Sequence, residues 1–169
     1  MIRMMGRGVG RVPFALVLAG LLLAGCGLVG AATSPVFQVE AVQVRSSPDA
    51  NGNSATRVDM VFVYDQAVVD MLQTLTAVEW FTRKRQFLLD FPEGIGVRSW
   101  EVVPNDTLPT EEVPETLLEN KSGDNAVAAF VFADYLSPGA HRARLESRRG
   151  IRIELGRDDF ALTPFTPES

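Results

Sequence analysis

Two short, almost uninterrupted apolar runs constrain this chain most: Val58 to Asp65 (VDMVFVYD) and Ala126 to Ala133 (AVAAFVFA). Both are too short for a buried helix, and both lie between turn-forming residues. Such runs read as strands covered on both faces. Around them lie Val36 to Arg45, Val97 to Val103, His141 to Glu146, Ile151 to Leu155 and Asp159 to Leu162, each rich in β-branched or alternating residues. Ser46 to Ser54 is a concentrated turn signal in which Asn51-Gly52 supplies positive φ, and Pro138-Gly139 centres another turn. Gly150 and Gly156 separate the last three runs.

Helical periodicity occurs in one place. Ala67, Val68, Met71, Leu72 and Leu75 recur at three- and four-residue steps. Thr76-Ala-Val-Glu79 then forms a capping box and opens a second helix through Trp80, Phe81, Phe87 and Leu88, which Pro92 stops. About seven strands with one helical excursion favour a mainly β protein. We expect an antiparallel sandwich with a helical insertion between early strands, since a parallel sheet would need a helix after nearly every strand. Pro104 to Asp124, proline-rich and acidic, reads as a long connection with a helical turn near Glu115 to Glu119.

The amino terminus has a different character. Arg3, Arg7 and Arg11 precede an apolar stretch from Pro13 to Leu23, the length of a signal peptide and short of a membrane span. Leu23-Ala24-Gly25-Cys26 follows and resembles the lipobox of bacterial lipoproteins. The resemblance implies that the Cys26 thiol takes a diacylglyceryl group and that cleavage leaves it as the acylated, palmitate-bearing N-terminus. Gly27, where an aspartate would favour retention in the inner membrane, implies an outer-membrane location facing the periplasm. Two or three acyl chains at about 0.8 kcal/mol per buried CH₂ give firm attachment. The expected organisation is 1–25 signal peptide, 26–35 lipidated tether, 36–163 periplasmic domain and 164–169 frayed tail.

Removing the first 25 residues takes away three of the sixteen basic residues and none of the twenty-one acidic ones, leaving a charge of −8. So acidic a chain is a poor ligand for nucleic acid. With the only cysteine acylated, no thiol remains for a disulfide or for covalent catalysis.

A periplasmic sandwich on an outer-membrane lipid resembles the small lipoprotein of the type VI secretion membrane complex, which has a transthyretin-like fold. The resemblance lies in the order of Val36–Arg45, the loop Pro48-Asp-Ala-Asn-Gly-Asn53, Val58–Tyr64, the helical insertion Gln66–Phe91 and the turn Leu136 to Arg142. It implies a non-catalytic adaptor that binds the periplasmic part of an inner-membrane subunit through the loop Ser46 to Thr56, particularly Asp49, Asn51 and Asn53.

Other candidates come from the residues themselves. Arg83, Lys84 and Arg85 form a cationic helix face that could dock an acidic partner, and Arg142, Arg144, Arg148 and Arg149 form a second basic cluster. His141, the sole histidine, reads as a satisfied strand residue, and its isolation argues against a Ser-His-Asp triad or a two-histidine metal site. Asp134, Asp158 and Asp159 are weak cation candidates, and Glu111, Glu112 and Glu115 lack the framing an acid/base pair needs. We expect no cofactor, no metal and no enzymatic activity. The alternative is a periplasmic carrier that holds a lipid or peptide between its sheets.

Overall fold

The computed structural model describes residues 36–167. The expected signal peptide, tether and Cys26 lie outside the described residues, as does the end of the expected tail. Among the described residues no helix is long and apolar enough to cross a membrane.

Among the described residues, eight strands form two four-stranded sheets. They are β1 (Val39–Ser46), β2 (Thr56–Val63), β3 (Ile95–Val102), β4 (Glu111–Glu112), β5 (Ala128–Ala133), β6 (Arg142–Leu145), β7 (Arg148–Leu155) and β8 (Phe160–Phe165). One sheet has the order β4-β1-β7-β8, the other β3-β2-β5-β6. Helices α1 (Gln66–Leu72) and α2 (Ala77–Asp90) lie between β2 and β3, and a single turn, α3 (Glu115–Leu118), precedes β5.

The sandwich is as expected, with a third layer of helices on one face. Val42, Val44, Ile151, Ile153 and Leu155 of the first sheet pack with Val58, Met60, Phe62, Ala129 and Val131 of the second. Val61, Val63, Phe130 and Phe132 form part of a second cluster with Val68, Val69, Leu72, Trp80 and Phe87 from the helices. That double covering explains the apolar runs of β2 and β5.

Local signals set the helices. The Asp65 carboxylate accepts the Ala67 N–H at 2.8 Å. The Thr76 hydroxyl accepts the Glu79 N–H at 3.2 Å, while the Glu79 carboxylate accepts the Thr76 N–H at 2.7 Å. This reciprocal cap ends the first helix at Leu72, earlier than its apolar spacing suggests, because Thr76 must leave helical geometry to serve it.

Four expectations are corrected. The strands are not all antiparallel: β1 pairs with β7 in parallel, from Val39↔Arg148 to Ser46↔Leu155. Gly150 does not break a strand but sits inside β7, where a Cβ would meet the Phe165 carbonyl oxygen at 2.6 Å. The last strand continues through Pro164 to Phe165, since an edge strand tolerates proline. The 104–124 connection does more than cross: Leu108 N–H donates to the Val44 carbonyl at 2.9 Å, Val113 N–H to that of Glu40 at 2.8 Å, and β4 pairs with β1. It closes an edge that would otherwise stay open.

Strand register sorts the connections between two ends. The β1–β2, β5–β6 and β7–β8 loops and the exit from β3 share one end, since Thr56 faces Val102, Val58 faces Ala133, and Ser46 faces Leu155. Val36 lies at the other, where Phe37 N–H bonds to the Ala126 carbonyl and Val127 N–H to that of Val63.

Candidate functional site: the loop end of the sandwich

The β1–β2 loop is built by three consecutive left-handed residues, Asn51 (φ 45°), Gly52 (φ 59°) and Asn53 (φ 65°). Asparagine and glycine tolerate this region best. Ser46 N–H donates to the Asp106 carbonyl at 2.8 Å, Asn105 N–H to that of Ser47 at 3.0 Å, and Asn51 N–H to that of Gly156 at 3.1 Å. Neighbouring connections thus hold the loop rigidly.

Asn51 is not available to a partner. It is 3 % exposed. Its amide donates to the carbonyls of Ala55 and Asp134, both at 3.2 Å, and its oxygen accepts the Leu136 N–H at 2.7 Å. The side chain is therefore a clasp between two loops, and the expectation that it contacts a partner is corrected. Asp49 and Asn53 do face solvent. Asp49 accepts the Ser47 hydroxyl at 2.8 Å and lies 3.9 Å from the Arg157 guanidinium.

A second clasp joins the β5–β6 and β7–β8 loops. His141 precedes β6 rather than lying in it, in a left-handed conformation (φ 41°). Its Nδ1 is 3.0 Å from the Asp159 carboxylate, its Nε2 is 2.8 Å from the Ser137 carbonyl, and its ring stacks on Tyr135. The Tyr135 hydroxyl meets the Gly156 and Asp159 carbonyls at 3.1 and 2.9 Å. Burial first, then the Asp159 charge, pushes its ionisation well above the ordinary tyrosine range.

A single histidine is enough for a triad, and the fold does bring Ser137, His141 and Asp159 together, so the inference from histidine count is corrected. The geometry does not activate the serine. Its hydroxyl donates to the Asp158 carbonyl at 2.6 Å and is 3.4 Å from Nε2, which is turned to a carbonyl instead. No base is positioned to take the proton.

The basic helix face divides. Lys84 is not a free cation: its Nζ lies 2.9 Å from Asp59, a carboxylate with 2 % side-chain exposure on β2, and donates to the Ser99 hydroxyl at 2.9 Å. Trp80 donates its indole N–H to the same Asp59 oxygen at 2.8 Å. Lys84 is therefore a counter-ion, because a buried carboxylate needs both a charge partner and hydrogen bonds. Arg83 lies over the Phe87 ring, 4.9 Å from its centroid, and Arg85 is exposed. The second basic cluster is largely consumed as well. Arg142 donates to the Leu75 carbonyl at 2.6 Å, Arg148 pairs with Glu146, and Arg149 pairs with Glu40.

Asp134 is bonded to Arg57 and Glu111 to Arg98 and Trp100. Among the described residues no three His, Cys, Asp or Glu side chains converge as metal ligands. Between the sheets, the recess lined by Val42, Met60, Phe62 and Leu117 holds about 10 Å³, room for about one water molecule. A lipid or peptide does not fit there.

No protein-family profile and no curated protein sequence matches the chain. Solved structures do. The T6SS lipoprotein TssJ1 from Pseudomonas aeruginosa superposes with a TM-score of 0.53 at 11 % identity, over 79 % of this chain and 100 % of that one. Lip of Serratia marcescens, a membrane-bound component of the type VI secretion system, gives 0.51 at 9 % identity over 78 % and 100 %. A chain in the structure of the T6SS protein TssM C-terminal domain from EAEC gives 0.51 at 17 % identity over 73 % and 99 %. The chain therefore shares its fold, a transthyretin-like sandwich, with type VI secretion lipoproteins.

Proposed function

We propose that this protein is the outer-membrane lipoprotein of a type VI secretion membrane complex, held by acyl chains on Cys26, and that it binds the periplasmic part of an inner-membrane subunit. The observation carrying this reading is the fold match to TssJ1, which takes in the whole of that lipoprotein. The lipobox-like Leu23-Ala24-Gly25-Cys26 supports it independently. The rigid β1–β2 loop, presenting Asp49 and Asn53, supplies the docking element, and Arg85 remains a second candidate contact. The adaptor works without catalysis, as the engaged Ser137 and His141 suggest. The filled space between the sheets favours an adaptor over a carrier.

Metabolic labelling with palmitate and membrane fractionation test the anchor. The wild type should carry label and sediment with the outer membrane, while Cys26→Ala should lose label and stay soluble or in the inner membrane as precursor. Normal outer-membrane fractionation of Cys26→Ala would refute the anchor. Co-purification from detergent-solubilised envelopes tests the adaptor: recovery of the lipoprotein without an inner-membrane subunit would refute it.

A further inference from the structure

We propose that Leu136, on the β5–β6 loop, is the apolar anchor of a composite docking surface that also takes in the β1–β2 and β7–β8 loops. Its partner is a periplasmic protein surface that offers an apolar socket rimmed by lysine or arginine. The inference rests on the adaptor reading and adds a residue, a second and third loop, and the chemistry of the site bound.

Leu136 is 76 % exposed, more than the other exposed large apolar side chains among the described residues, of which Leu89 follows at 66 %. Scattered apolar residues are ordinary on a surface, so exposure carries little weight here. What distinguishes Leu136 is how firmly it is held out. Its own N–H bonds to the buried Asn51 oxygen at 2.7 Å, the preceding residue is the buried Tyr135, and the following one is tied by its hydroxyl to Asp158. Leu89, by contrast, stands on the outer face of α2, away from the loop end. A loop whose backbone is fixed before binding loses little conformational freedom on docking, which lets a few residues dominate an interface.

The clasp by Asn51 also fixes which residues share the surface. It sets Leu136 against the left-handed turn that presents Gly52 and Asn53, and its backbone N–H holds Gly156 of the β7–β8 loop. Around this knob the charge is mainly negative. Asp49, Asp158 and Asp159 are exposed and Asp134 is half-buried, and the exposed cations among them, Arg157 and Arg57, lie against Asp49 and Asp134. An apolar knob inside an acidic rim is complementary to an apolar socket with a basic rim, the rim steering encounter and the knob setting residence time.

The test uses the full lipoprotein in detergent and the purified periplasmic domain of the inner-membrane subunit of the same organism's type VI secretion complex. Leu136→Asp and Leu136→Ala should weaken binding at least about tenfold, Leu89→Asp should change it less than about twofold, and all three should unfold at the wild-type temperature. If Asp49→Lys weakens binding while Leu136→Asp does not, the Leu136 proposal falls and the adaptor reading stands. If the wild type does not bind that domain, the adaptor reading falls, and a photo-crosslinking amino acid at position 136 in intact cells then decides the proposal. An adduct mapped to apolar residues flanked by lysine or arginine on another envelope protein supports it. An adduct elsewhere, or none, overturns it.

Discussion

Lys84→Met should destabilise the domain even though Lys84 lies on a helix surface. Asp59 has 2 % side-chain exposure and receives two partners on one oxygen, the Lys84 ammonium and the Trp80 indole N–H. Removing one member of a buried ion pair costs about 3–5 kcal/mol. Lys84 keeps 28 % of its side chain accessible, so water takes over part of its role and about 2–3 kcal/mol remains. For a domain of this size that corresponds to a fall of roughly 6–10 °C in Tm. Trp80→Phe keeps an aromatic ring against Phe132 and Phe87, whose centroids lie 5.2 and 5.9 Å away, but loses the donor and part of the indole volume, which should cost at least about 1.5–3 kcal/mol. Replacing both charges, as Asp59→Leu with Lys84→Met, should recover most of the loss, because no unpaired charge is left behind. Urea unfolding of the wild type, Lys84→Met, Asp59→Leu and the double variant, followed by tryptophan fluorescence, gives the double-mutant cycle. A Lys84→Met cost below about 0.5 kcal/mol, with no coupling to Asp59, would refute the counter-ion assignment and return Lys84 to the solvated face.

Asn51→Ala should cost about 2–4 kcal/mol, since it strands buried carbonyls and places alanine at positive φ, whereas Asn53→Ala, exposed and bearing only the positive-φ cost, should cost about 1 kcal/mol; thermal denaturation separates the two. Gly150→Val should cost about 1–3 kcal/mol or more by driving a side chain into Phe165, as chemical denaturation would report. Both tyrosines ionise above their ordinary value, 10.0, because burial disfavours the phenolate. Their contribution to stability is complete below pH 10 and is lost as pH rises beyond it, so absorbance at 295 nm and unfolding should rise together in base. Stable folding with both phenolates formed near pH 10 would contradict this. The Glu79 carboxyl is held below its usual 4.5, chiefly by the Thr76 N–H and then by its hydroxyl. Its capping contribution is full above pH 4.5 and disappears as pH falls past the lowered value; Glu79→Gln should abolish that part of the acid dependence.

Features fixed by neighbours in sequence were legible. The capping box, the left-handed Asn51-Gly52 turn and the twin apolar strands each carry their signal within a few residues. Features fixed by partners far along the chain were not. Asp59 sits in an apolar run as one discordant carboxylate, and only the fold shows that Lys84 and Trp80 reach it. Strand β4, two residues long, has no periodicity to detect. The parallel partner of β1 lies near the end of the chain, and nothing in either segment announces the pairing. At the loop end, sequence resemblance drew attention to Asp49, Asn51 and Asn53, but sequence does not say which side chains turn inward. Leu136 could have been noticed as an apolar residue inside a turn of Ser, Pro and Gly.

The parallel pairing of β1 with β7 has a mechanical consequence. Strand β1 runs from the end of the sandwich near Val36 to the loop holding Asp49 and Asn53. A load applied between Val36 and Gly156, just past β7, pulls β1 and β7 in opposite directions from opposite ends. The backbone bonds between them, spread over Val39 to Ser46, then lie across the direction of pull and share the load, so they must yield together rather than one after another. Strands joined as a hairpin and pulled at their free ends would unzip bond by bond at far lower force. Forced extension from Val36 to Gly156 should therefore meet one high barrier, and extension from Arg148 to Phe165, the free ends of the β7–β8 hairpin, a lower one.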